Sequence, residues 1–134
     1  MTPFAVAGPY QVDLVFYYPS LNNPDYNGVG VATIGPTVEY PSAYYGIFSV
    51  NMKLRKMIIT FLVGFNWYTY DGSNFFTGVV ASSLTSGAYL PQSAYFISST
   101  IDTSLMTLQS STTYFQLNWD GVTFVIGDTI VIGW

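Results

Sequence analysis

The chain has 134 residues, enough for one domain with a single sizeable core, and contains neither cysteine nor histidine. That excludes a disulfide framework, thiolate metal ligation, a cysteine nucleophile and the imidazole that most often serves as general base near neutrality. Only 7% of residues are charged, against roughly 25% in an ordinary soluble domain, and the net charge is −4. Such a surface solubilises poorly, so it either works in an acidic medium or is buried against neighbours.

Residues 1–9 read as a Pro-bounded tail or arm with Phe4 as its large ring. The tail lacks the basic and long apolar regions of a secretory leader, which predicts a protein made and retained without one. Tyr10 to Tyr18 alternates, with Val12, Leu14 and Phe16 on one face, and predicts a strand. Pro19 to Gly28 is rich in Pro and Asn and predicts a loop; Gly28 to Ile34 predicts a short strand, closed by Gly35-Pro36. Pro41 to Gly46 predicts a second loop, carrying Tyr44 and Tyr45.

Gly46 to Gly72 holds every positive charge, Lys53, Arg55 and Lys56, and the longest apolar run. Its first part alternates as a half-exposed strand. From Met57 to Tyr70 both faces are apolar, which predicts a strand covered on one side by its own core and on the other by something else. Asn66 interrupts the run well short of the roughly 18 residues of a membrane span. Its β-branched and aromatic residues favour strand over helix.

Asp71-Gly72 and Asp120-Gly121 each lie between strand-forming segments and predict two hairpins. Between them Ser82 to Ser93 reads as loop, Ala94 to Thr100 as strand, and Asp102 to Gln109 as ambiguous, with one or two helical turns allowed. The chain ends in an apolar strand or arm at 129–134. About eight or nine antiparallel strands without a helix predict an all-β, two-sheet sandwich in a single domain spanning 1–134. A jelly roll is the leading topology and an immunoglobulin-like sandwich the alternative.

No constellation predicts catalysis, a cofactor or a metal. The acids are scattered, and a glycosidase-like pairing of Asp13 with Glu39 has nothing in the sequence to bring it together. Asn23, Asp25 and Asn27 alternate as in a calcium loop, but Pro24 and the missing downstream glutamate favour an Asx-rich turn. Three cations against a net charge of −4 predict no specific nucleic-acid binding.

The expected function is therefore a structural, self-assembling subunit, a viral capsid or minor coat protein located in the virion. Its partners are copies of itself or other virion subunits. The expected interface residues are Phe4, Tyr17, Tyr44, Tyr45, Lys53, Arg55, Lys56, Tyr68, Tyr70, Ile130, Ile132 and Trp134. The last three form an uncharged terminal segment suited to packing on a neighbour as an added strand, with Trp134 as anchor. The alternative is a carbohydrate-binding or host-attachment module at the extracellular surface, its glycan contacts made by Trp67, Tyr45 and other exposed rings.

Overall fold

A computed structural model describes residues 11–53, 55–67, 76–83, 94–111 and 113–134. The expected antiparallel β-sandwich is what the chain forms, with no α-helix among the described residues. In chain order the strands are β1 (Gln11–Tyr17), β2 (Pro24–Thr33), β3 (Tyr40–Ala43), β4 (Phe48–Lys53), β5 (Lys56–Phe61), β6 (Phe65–Asn66), β7 (Gly78–Ser83), β8 (Tyr95–Ser99), β9 (Thr107–Ser110), β10 (Tyr114–Asn118), β11 (Thr123–Phe124) and β12 (Thr129–Gly133). One five-stranded sheet runs β2-β1-β7-β10-β9 and the other β3-β4-β5-β12-β8, while β11 pairs with β6. Hairpins β1–β2 and β9–β10 in one sheet and the meander β3–β4–β5 in the other define this connectivity. It shows the expected two-sheet antiparallel sandwich.

Alternation sets which faces meet. Val12, Leu14 and Phe16 of β1 point into the core, as do Val50 and Met52 of β4, Met57, Ile59 and Phe61 of β5, and Ile130 and Ile132 of β12. The centre is aromatic: Phe16 lies 5.5 Å from both Phe48 and Trp67, Trp119 lies 5.5 Å from Phe48 and from Phe61, and Phe61 stacks on Phe124 at 3.7 Å. The indole N–H groups of Trp67, Trp119 and Trp134 are buried without an acceptor among the described residues.

Several expectations are corrected. The Pro19–Gly28 stretch is loop only in part, because after an irregularity between Leu14 and Phe16 the chain pairs again, Tyr17 with Pro24 and Phe16 with Asp25. Tyr40–Ala43 likewise forms a strand where a loop was expected. Pro24 and Pro41 survive there because β2 and β3 are edge strands, where a missing N–H costs no ladder bond. The long apolar run stops pairing after Phe61 and resumes as β6. Asp120-Gly121 does form a turn, with Val122 N–H donating to the Trp119 carbonyl at 3.0 Å and Gly121 at φ +82°. It carries the chain from β10 to β11, which belong to different sheets, so it is not a hairpin. The ambiguous stretch resolves into a 3₁₀ turn at Thr103–Leu105 followed by β9. The Asp71-Gly72 hairpin and the 1–9 arm lie outside the described residues.

The C-terminal segment is the largest correction. β12 pairs with β5 on one side and β8 on the other, Ile130 and Ile132 are fully buried, and Trp134 packs 5.4 Å from Phe115 of the facing sheet. An uncharged, alternating terminal segment serves equally as a donated arm or as an interior strand, and here it is the interior strand. Ile130, Ile132 and Trp134 are therefore taken up by the chain's own core and leave no face for a neighbour.

Candidate functional site

The registers give the sandwich two chemically different ends. Lys53 pairs with Lys56 across the β4–β5 turn and Lys56 pairs with Gly133, so all three cations cluster at the Trp134 end. Thr60 pairs with Thr129 and Ser99 with Ile130, which puts Thr100, Asp102 and Asp128 at the opposite end. Asp120 belongs there too, because Trp119 packs on Phe48 and Phe61 at that end of their strands. A six-residue strand such as β5 separates the two ends by roughly 20 Å.

At the acidic end lies a cleft of about 430 Å³, lined by Thr100, Ile101, Asp102, Asp120, Val122 and Thr123, with Leu105 and Gly121 completing it. No cation is among these lining residues. Asp102 caps the 3₁₀ turn: Ser104 donates from its backbone N–H at 2.9 Å, and this bond together with the Ser104 side chain lowers the carboxyl's pKa below its ordinary value. Asp120 is half-buried and accepts from the Thr77 hydroxyl at 2.8 Å, while Asn118 anchors the Asp120 N–H at 3.0 Å. Asp128 is spent on structure, its two oxygens taking the Thr100 hydroxyl at 2.7 Å and the Val125 N–H at 2.8 Å.

Beside β11 the same end presents an apolar patch. The 62–64 segment and the 125–127 turn are held together by Gly127 N–H donating to the Phe61 carbonyl and Phe61 N–H to the Asp128 carbonyl, both at 2.8 Å. A Cβ on Gly64 would sit 3.4 Å from the Phe124 carbonyl, so the two loops touch. They carry Leu62, Val63, Val125 and Ile126, all exposed, with Ile126 at 73% and Val125 at 61%. The apolar second face noted from Met57 onward thus ends as surface: the Leu62 N–H still bonds the Ile47 carbonyl at 2.8 Å, but the side chains of Leu62 and Val63 are exposed.

A third feature is the 44–46 corner. Tyr44, Tyr45 and Gly46 have φ of +47°, +58° and +81°, three consecutive residues in the left-handed region, which is costly for the two tyrosines. Asn27 holds them there, accepting the Tyr44 N–H on its carbonyl and the Tyr45 N–H on Oδ1, both at 2.8 Å. Tyr44 turns inward against Phe16, ring centres 4.5 Å apart, and Tyr45 turns outward, 71% exposed.

The remaining expected interface residues divide accordingly. Tyr17 is half-buried, edge-on to Phe76 at 6.0 Å. Lys53 and Arg55 are exposed and Lys56 half-buried; Phe4, Tyr68 and Tyr70 fall outside the described residues. Trp67 is fully buried and presents no ring face to a sugar. Asp13 and Glu39 each act on the Tyr40 hydroxyl, whose pKa is raised by burial first and then by the two carboxylates. Glu39, however, accepts the Met52 N–H on one oxygen (2.7 Å) and the Gly35 N–H on the other (2.8 Å), so it works as a backbone clip. In the Asn23–Asn27 stretch Asp25 accepts the Asn27 N–H at 2.9 Å, an Asx turn.

Comparison with family models, with curated proteins and with solved structures returns no match. No helix of the described residues is long and apolar enough to cross a membrane. The cleft and the apolar patch were both missed in the sequence. Each joins segments about 20 to 60 residues apart, and the one local signal was two adjacent aliphatic residues at each loop, Leu62-Val63 and Val125-Ile126.

Proposed function

We propose that the chain is a non-enzymatic structural subunit that assembles with copies of itself, of the kind that tiles a virus coat. The observation that carries this reading is the apolar patch of Leu62, Val63, Val125 and Ile126 on a surface with little charge to keep it soluble. Contiguous exposed aliphatic groups mark interfaces, whereas single ones do not. A polar cleft at the margin of the patch supplies the rim that protein interfaces usually have. The test is the paired change Val63→Asp and Ile126→Asp, both at exposed positions. It should leave the thermal midpoint near wild type and abolish association in light scattering. Unchanged association would remove the patch from the interface.

A carbohydrate-attachment reading is favoured by the Tyr45 ring, exposed on a corner pinned by Asn27. Glycan binding lost in Tyr45→Ala, with association intact, would support that second reading.

A further inference from the structure

The hairpin tip is a source of repulsion that no carboxylate side chain among the described residues offsets. Lys53 and Lys56 are direct cross-strand partners, and like charges so placed are unfavourable. Neither lysine is in an ion pair among the described residues. Arg55, next to Lys56 in the same turn, is held at φ +61° and donates to the Trp134 backbone oxygen at a long 3.4 Å. At the other end the cleft concentrates Asp102 and Asp120, lined by hydroxyls and apolar groups with no cation to balance them. Its volume of about 430 Å³ lies in the range that encloses a small ligand or a long side chain.

Resting on the assembly reading above, we infer that the subunits join head to tail, the Lys53–Lys56 tip of one copy seating in the Asp102/Asp120 cleft of the next. The apolar patch beside the cleft forms the dry part of the contact. The charged pairs set register and orientation, which is what complementary charge across an interface does best. Because the two contributing surfaces are different, the contact is heterologous. It leaves a free tip and a free cleft on every pair, and so grows into a ring or a filament beyond the dimer.

Complementary charge reversal tests this, read by sedimentation velocity. One variant carries Lys53→Glu with Lys56→Glu; the other carries Asp102→Lys with Asp120→Asn, the amide oxygen retaining the Thr77 hydroxyl bond. Each alone should associate about tenfold or more weakly than wild type. An equimolar mixture should recover association, since each variant supplies the surface the other lacks. Raising salt from about 0.05 M to about 0.5 M should weaken wild-type growth, as screening shortens the reach of exposed charges. The inference is overturned if either variant associates like wild type, if the mixture does not recover, or if growth stops at a symmetric dimer. Those results leave the assembly reading standing, provided that wild type still associates through the Val63 and Ile126 patch. A wild-type protein that stays monomeric overturns both.

Discussion

Replacing Ile132 by Ala tests most sharply whether the last strand belongs to the chain's own core. Ile132 is fully buried, opposite Met57 on β5 and Phe96 on β8, so the truncated side chain leaves a cavity in a strand held on both sides. Such substitutions cost about 2–5 kcal/mol, a large share of a typical stability of about 5–15 kcal/mol. With a urea slope of about 2 kcal/mol/M, a loss of about 3 kcal/mol moves the midpoint down by about 1.5 M. Val131 is the internal control: it is only half-buried on the opposite face of the same strand, and Val131→Ala should cost about 1 kcal/mol or less. Equilibrium urea unfolding followed by tryptophan fluorescence gives both values. Equal, small losses at the two positions would refute the interior placement and return the segment to the role of an arm. Deleting Ile130–Trp134 is the limiting case and should abolish the cooperative transition, because β5 and β8 lose their shared partner.

Gly28 has φ +72°, and a Cβ there would run into the Ser42 carbonyl, so Gly28→Ala should lower the thermal midpoint by several degrees; an unchanged midpoint would contradict the close β2–β3 approach. Tyr40 donates to the Gly30 carbonyl at 2.6 Å, and burial, then Asp13 and Glu39, raise its pKa well above the ordinary tyrosine value of 10.0. A raised pKa keeps the proton on the folded state, so the contribution is fully present below pH 10 and is lost as pH climbs beyond it. Tyr40→Phe should therefore cost about 1 kcal/mol at neutral pH and flatten the alkaline limb of a stability profile; an identical limb in the variant would show that Tyr40 is not the group responsible.

The fold class was legible because alternation is a local signal: Gln11–Tyr17, Phe48–Lys53 and Lys56–Phe61 all form the strands their patterns require. Turn chemistry was legible at Asp120-Gly121, but not its consequence. A turn fixes the local reversal, while Trp119 and Phe124 entering one aromatic core decide which sheet each flanking strand joins. Pro24 and Pro41 misled the reading because proline forbids a central strand and permits an edge, and edge position is a property of the whole sheet. The basic tip was visible as three cations within four residues. The acidic cleft was not, since Asp102 and Asp120 meet only after β8 and β10 have joined opposite sheets.

The central claim, that this surface exists to be covered by further copies, is tested most directly by sedimentation velocity of the wild-type chain at neutral pH and low salt across a wide concentration range. Growth past the 14.8 kDa monomer to species larger than a dimer is expected as concentration rises. A single monomeric boundary that persists at the highest concentration would contradict it.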